Sequence, residues 1–552
     1  MSDIAQITKI KESQDKGKAV SKPFRLYLGG FMAAGKTSVG RKLAELTGFP
    51  FVDTDDLVEA MAGMSVAEIF QKYGELYFRA LEAEALEETF KLKNVIVGLG
   101  GGVLVNPENK AKIFANGTLI ILDAAIETIL KRASNEPGKR PLLKEESVAE
   151  LMNRRREAYS KAHIRVRTDD LFVDEVAMSV MDMLADIFPE IRQPKKVETI
   201  PVKTANAEYP VLVGSDILAS FEDIMSEIVP KKFSSAFLVS DPLTFSLFSR
   251  NFKNLKDVHL LPRGERGKSL SRLSLLYEDL ARNNVDRKGL IVALGGGCVG
   301  DTAGFAASTW MRGIDIVHIP TTLIAQVDSA IGGKTAVNLP EGKNLVGTFH
   351  QPCAVIVDVN CLLSLPDEEF RQGMAEVIKY GLGEDREFLS WLSENRDSIA
   401  ERDPETLLKM VKRCIELKAS VVEEDERETT GARSRLNLGH TIAHGLEALQ
   451  GYGGIKHGDA VAVGMVVATH LAVILELESK GTLAELLDLL EHFGLPTKPG
   501  ADFDSILPYV MRDKKFVGSK PMFVLPREGY KCEMMEVDTD LLKKAYERAG
   551  GR

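Results

Sequence analysis

Between Gly373 and Asp459 the chain gathers Glu376, Lys379, His440, His444 and His457 in three short stretches: Gly373-Met-Ala-Glu-Val-Ile-Lys-Tyr-Gly381, Asn437-Leu-Gly-His-Thr-Ile-Ala-His444 and Lys456-His-Gly-Asp459. Glu376 and Lys379 are three apart and His440 and His444 four apart, so on helices each pair shares a face. A carboxylate with imidazoles suits zinc, with one position left open for substrate. A lone histidine in an apolar helix is more often a hydrogen-bonded core residue, the reading for His470 and His492. Three histidines and a glutamate in glycine-rich, polar stretches read instead as metal-binding or catalytic.

A second chemistry sits near the start. Gly30-Phe-Met-Ala-Ala-Gly-Lys-Thr37 matches G-x-x-x-x-G-K-[ST] between the apolar run Phe24–Leu28 and a helical stretch, Ser38–Leu46. In that order Gly30 and Gly35 let backbone N–H groups curl around phosphates, Lys36 reaches the β/γ oxygens, Thr37 holds Mg²⁺, and Ser38 opens the helix. Asp53 and Asp55, two apart at the end of a strand, are expected on one face. One could steady Mg²⁺ while the other binds an acceptor hydroxyl. Arg79, the turn Gly98-Leu-Gly-Gly-Gly-Val103, Arg132 and a polar lid carrying Arg140 follow. An anionic acceptor needs several such arginines to converge.

A third element positions a dinucleotide. Leu290–Leu294 reads as a strand running into Gly295-Gly-Gly-Cys-Val-Gly-Asp301, where Gly295, Gly297 and Gly300 form G-x-G-x-x-G before a helix. Asp315 lies where the fingerprint wants an acid, but a strand-edge charge explains it equally well. Asp328-Ser-Ala-Ile-Gly-Gly-Lys-Thr335 and Gly342-Lys-Asn344 add groups for a phosphorylated substrate.

With 552 residues the chain needs two or more domains. A net charge of −10 argues against a nucleic-acid partner. Five scattered cysteines without a C-x-x-C pair read as reduced thiols, hence a cytoplasmic setting. The apolar run Ala460–Leu475 is short for a membrane span and reads as a buried helix. The fold expected is α/β. It comprises a disordered tail (1–22), a P-loop domain with a parallel sheet (23–190), a Pro- and charge-rich linker (191–197), an α/β nucleotide part (198–364) and a helical metal part (365–552).

Residues 24–188 resemble shikimate kinase in the P-loop, D-x-D, F-R, G-G-G and R-P-L-L lid, in that order. The resemblance implies ATP with Mg²⁺ at Thr37 and Asp53, and shikimate held by Asp55, Arg79, Gly100, Gly101 and Gly102. It makes Arg140 the catalytic lid arginine, sets Arg132 against adenine, and matches Arg155 to a late arginine whose usual proline is missing here. Residues 197–552 resemble 3-dehydroquinate synthase in G-G-G-x-x-G-D, P-T-T-L, V-D-S-x-I-G-G-K, G-M-A-E-V-I-K-Y-G, N-L-G-H-T-x-x-H and H-G-D. That likeness implies zinc or cobalt on Glu376, His440 and His457. His444 is left beside the substrate to handle protons, with Lys334 and Lys379 also catalytic. NAD would meet Asp241, Glu265, Lys268, Gly295, Gly296, Gly297, Gly300, Asp301, Thr321 and Thr322.

The heptulosonate phosphate would meet Asp328, Lys334, Lys343, Asn344, Lys379, Lys418, Arg433, Asn437 and Lys514, or Lys515 in place of the last. The implied reactions are phosphorylation of shikimate and conversion of 3-deoxy-arabino-heptulosonate 7-phosphate to 3-dehydroquinate, with NAD recycled. A homodimer through the second half is expected, with no nucleic-acid or membrane partner. The competing readings are another sugar-phosphate cyclase or a polyol dehydrogenase for the second half, and a nucleotide-sensing module for the first.

Overall fold

The computed structural model describes residues 24–551 except 135–147, 156–157, 160, 170, 185–196, 206, 229–232, 253, 256, 429–430, 452–453 and 512–520. The expected tail, the lid with Arg140, most of the linker, and Lys514 with Lys515 therefore lie outside the described residues. The chain forms two compact units. The first is Met1–Pro194 with Asp241–Lys253 and Leu363–Pro366; the second is Lys195–Ser240, Asn254–Leu362 and Asp367–Arg552.

The first unit is built on a five-stranded parallel sheet of β1 (Arg25–Gly30), β2 (Phe51–Asp53), β3 (Val95–Gly98), β4 (Thr118–Asp123) and β5 (Ile164–Arg167), in the order β2-β3-β1-β4-β5. Strand alternation sends Tyr27, Val95 and Val97 into one buried cluster and Leu26, Leu28 and Ile96 into another. Helices therefore cover both faces, as parallel strands with near-continuous apolar runs require. Leu243, from the segment Asp241–Lys253, belongs to the first of these clusters. Leu28 pairs with Gly98 and Gly98 with Asp53, so the chain leaves β1, β2 and β3 at one carboxyl edge. That edge is where ligands bind such sheets.

One expectation fails here. Asp53 and Asp55 are not alternate residues of a strand, because β2 stops at Asp53. Asp53 caps the helix Thr54–Ala62, accepting the Asp55 N–H, and Asp55 lies in its first turn. The N-cap bond, available to an aspartate but to few other residues, ends the strand early.

The second unit holds a seven-stranded sheet in the order β6-β7-β14-β11-β10-β8-β9. Its members are β6 (Val197–Lys203), β7 (Glu208–Gly214), β8 (Ala236–Ser240), β9 (Asp257–Leu260), β10 (Leu290–Gly295), β11 (Asp315–Pro320) and β14 (Ala354–Asp358). Only the β6–β7 pair is antiparallel. A hairpin of β12 (Lys334–Leu339) and β13 (Gly342–Phe349) stands apart from this sheet, and helices follow from Asp367. The helical stretch is interrupted by a second hairpin, β15 (Met522–Arg527) with β16 (Tyr530–Glu536), which corrects the expectation of helix to nearly the end. The apolar run forms the helix His457–Ile474, whose residues Ala460–Thr469 are buried throughout. It crosses the start of the helix His440–Leu449 at a glycine pair. A Cβ on Gly464 would stand 2.0 Å from the Gly439 carbonyl oxygen. Only glycine permits that approach, and it brings His440 and His457 onto one site.

Two candidate active sites

In the first unit the P-loop leads into the helix Lys36–Thr47. The Lys36 ammonium donates to the carbonyls of Gly30 (3.0 Å) and Phe31 (3.1 Å). Thr37 Oγ1 donates to Asp53 Oδ2 at 2.8 Å, which unites the two expected Mg²⁺ ligands. Arg132 donates to Thr168 O (2.6 Å) and Oγ1 (3.1 Å), and Thr168 Oγ1 donates to the P-loop carbonyl of Ala34 (3.3 Å).

The triple-glycine turn meets each expected shikimate residue in turn. A Cβ on Gly100 would fall 2.3 Å from Asp55 Oδ1, one on Gly101 3.2 Å from Arg155 Nη1, and one on Gly102 2.2 Å from Arg79 Nη1. Arg155 Nη1 (2.8 Å) and Tyr159 Oη (2.6 Å) both donate to the Gly101 carbonyl, so Arg155 reaches this site without the proline of the family's pattern. Burial, with the charges of Asp53 and Glu82 beside it, pushes Asp55 up to about 7 against the pull of Lys36. Glu82 was not anticipated. It pairs with Arg79 at 2.8 Å across one helical turn, a spacing that could have revealed it.

In the second unit β10 delivers Gly295 to the sheet's carboxyl edge, and the helix Gly297–Thr309 starts two residues later. Thr321 N donates to Gly295 O (3.0 Å), and the Thr322 side chain lies where a Cβ on Gly296 would reach (3.0 Å). Asp301 pairs with buried Lys268, and Glu265 accepts from Asn338 Nδ2 at 2.5 Å. Asp315 pairs with Leu290, five residues before Gly295, so it occupies the sheet end opposite the glycine loop and cannot serve it. Asp241 caps the helix Pro242–Phe248 through Leu243 N and Thr244 N, and its other oxygen accepts from Thr244 Oγ1.

Gly297 adjoins Ser329, and the next residue back, Asp328, leads to the metal cluster. Both belong to a π turn, Ala325–Ser329, a form that recurs at functional sites. Asp328 Oδ1 accepts from Tyr380 Oη at 3.1 Å and from buried Lys418. Burial would raise this carboxyl, but Lys418 and Lys379 hold it far below the usual range. Lys379 in turn lies against Glu376 Oε2. His440 Nε2 and His457 Nε2 stand 3.7 and 3.5 Å from Glu376 Oε1.

This donor set fits a divalent cation. One ligand atom from each of the three residues lies within 4.8 Å of the others, and Glu376 is buried with Oε1 turned to both imidazoles. Burial, reinforced by Lys379, keeps His440 neutral by pushing its pKa well down. Burial opposes protonation of His457 too, but Glu376 and Glu447 hold it up at about 9.

The flanking cations are less uniform. Arg433 is buried, donates to Glu426 O at 2.8 Å and lies against Gly332. Half-exposed Lys334 pairs with Glu428. Asn344 enters through its backbone, donating to Asn338 Oδ1 at 3.0 Å, and Asn437 ends the turn Ala432–Asn437. His444 packs its ring 5.7 Å from that of His440.

The first site defines a P-loop phosphotransferase, and the second an enzyme that joins a glycine loop to a carboxylate–imidazole donor set. Family models match shikimate kinase over residues 32–185, 3-dehydroquinate synthase N-terminal over 258–372 and 3-dehydroquinate synthase C-terminal over 373–516. A 3-dehydroquinate synthase of Rhodopirellula baltica is 42% identical over 360 residues, covering 62% of this chain and 95% of that protein. A 2-deoxy-scyllo-inosose synthase solved with carbaglucose-6-phosphate, NAD⁺ and Co²⁺ is 30% identical, covering 64% of this chain and 100% of that one, with a TM-score of 0.57. A 2-epi-5-epi-valiolone synthase from Streptomyces hygroscopicus subsp. jinggangensis, with NAD⁺ and Zn²⁺ bound, is 25% identical over 62% of this chain and 97% of its own, also at 0.57.

The chain belongs to the 3-dehydroquinate synthase family and carries a shikimate kinase domain ahead of it. Its two activities are ATP-dependent phosphorylation of shikimate and formation of 3-dehydroquinate from 3-deoxy-arabino-heptulosonate 7-phosphate with loss of phosphate, both on small-molecule substrates.

Proposed function

We propose that the two reactions are carried by the residues brought together above. In the kinase, Lys36 balances charge on the transferred phosphoryl group, and Thr37 with Asp53 holds Mg²⁺. Asp55 takes the acceptor hydroxyl, and Arg79 with Arg155 clamps the acceptor carboxylate against Gly100, Gly101 and Gly102. Arg140, outside the described residues, keeps its role as lid arginine from the sequence.

In the synthase, Glu376, His440 and His457 hold zinc or cobalt, and the loop Gly295–Gly300 with Glu265, Lys268, Asp301, Thr321, Thr322 and Asp241 binds NAD. When bound, the cation supplies Lewis acidity at the hydroxyl to be oxidised, and the nicotinamide supplies reversible hydride acceptance. Lys334, Lys343, Lys379, Lys418, Arg433 and a lysine of the pair 514–515 neutralise phosphate and carboxylate, while Asp328, Asn344 and Asn437 fix the hydroxyls. His444 moves protons at its ring nitrogens beside the reacting carbons. A cytoplasmic homodimer that binds neither nucleic acid nor membrane completes this reading. The observation that carries it is the buried Glu376 carboxylate, whose Oε1 is faced by two imidazole nitrogens.

The test assays shikimate-dependent ADP release and dehydroquinate formation on one preparation. Lys36→Met is expected to remove the first activity alone, and His457→Ala the second alone while holding Zn²⁺ far more weakly. Full metal occupancy in His457→Ala overturns the ligand set.

A further inference from the structure

Glu447 lies on the helix His440–Leu449, two turns beyond His440 and so on nearly the same face. Its side chain is almost buried, with one-tenth exposed. Oε1 stands 3.5 Å from His457 Nδ1 and 3.7 Å from the Lys343 ammonium. The opposite nitrogen of the same ring, His457 Nε2, faces Glu376 Oε1 at 3.5 Å. Each nitrogen of this imidazole thus has one carboxylate. An imidazole that ligates a cation through Nε2 carries its proton on Nδ1, and a carboxylate at Nδ1 fixes both the tautomer and the ring plane.

We propose that Glu447 is a positioning residue for the synthase reaction. It accepts the His457 Nδ1–H, aims Nε2 at the cation, and holds Lys343 at the same oxygen, so that the metal site and one substrate cation share an anchor. This rests on the reading that Glu376, His440 and His457 bind the metal. Lys343 belongs to β13, on a hairpin apart from the histidine helices. Glu447 is therefore the point where the strand that offers a lysine to the substrate meets the helix that offers His440. A buried carboxylate between two cationic side chains would be a poor choice for packing alone, since an apolar residue of similar volume fills space without desolvating a charge. Because it meets the imidazole on the edge away from Glu376, it acts on the cation through His457 and not as a further ligand.

The experiment uses the intact chain and titrates Zn²⁺ against a chromophoric chelator. It also records the absorption spectrum of the Co²⁺-loaded protein. Glu447→Gln, close in shape, is expected to weaken Zn²⁺ roughly 10–100-fold while one cation per chain still binds at saturation. Its Co²⁺ bands should keep the intensity of an unchanged ligand count. Glu447→Asp should recover part of the loss, which a packing role would not predict. Added to His457→Ala, the Gln change should weaken Zn²⁺ no further, because its effect passes through that ring. Unchanged affinity in Glu447→Gln, or an equal loss with His457 already removed, overturns the proposal. Wild-type affinity in His457→Ala overturns the underlying ligand reading, and the proposal with it.

Discussion

His457 is held at about 9 by two carboxylates that outweigh its burial, so below that pH the metal-free ring carries the proton a cation must displace. The sign follows from the competition. Apparent Zn²⁺ affinity should rise with pH up to about 9, by roughly tenfold per unit where His457 is the only group that must give up a proton. Chelator-buffered titrations between pH 6.5 and 8 read this slope, and a flat profile would mean that His457 is not a ligand. In the kinase, Gly101→Val should displace Arg155 and raise the KM for shikimate with little change in that for ATP, since the P-loop is untouched; unchanged shikimate kinetics would remove Arg155 from the site. At this scale the sequence was informative wherever spacing and residue type coincide, as at Lys36 with Thr37 or Glu376 with Lys379. Glu447 was illegible because its partners come from two other elements, a strand and a helix start, and nothing local marks it.

Two elements meet at Gly439 and Gly464, and that crossing sets the distance between His440 and His457. Gly464→Ala puts a methyl group 2.0 Å from a backbone oxygen, with no flexible side chain to yield. The helices must part, at a cost of about 1–3 kcal/mol. Zn²⁺ affinity and dehydroquinate formation should fall while shikimate phosphorylation stays as it was; wild-type Zn²⁺ affinity would show that the crossing does not set the ligands. Elements bounded by glycine and apolar runs, such as β1 with its P-loop and β10 with its glycine loop, could be read in advance. The early end of β2 could not, because a cap bond from Asp53 overrides strand alternation. The hairpin Met522–Glu536 was equally hidden, since the two residues that turn it are Glu528 and Gly529 and not the Asn-Gly or Asp-Gly that marks such turns. Asp315 shows the converse. Its distance along the chain suited a ribose acid, and only the parallel register reveals that it sits at the wrong end.

Across the whole molecule, chelating the metal should abolish dehydroquinate formation and leave shikimate phosphorylation in Mg²⁺ intact, because Glu376, His440 and His457 all belong to the second unit. Loss of both activities under a zinc-selective chelator would contradict that division. The first unit draws on chain beyond the linker, since Leu243 sits in its buried cluster. Leu243→Ala should therefore destabilise that unit by about 2–4 kcal/mol, read as a lower melting transition for kinase activity. A fragment ending at residue 192 should melt lower for the same reason. Composition suggests a linker at 191–197 but could not foresee this, because a helix after β8 carries no sign of which core receives its leucine. Two catalysts on one polypeptide are also made and destroyed together. Every round of translation yields them in equal number, and a protease that catches either unit open ends the service life of both, so a lesion that merely loosens one core lowers the cell's capacity at two separate steps.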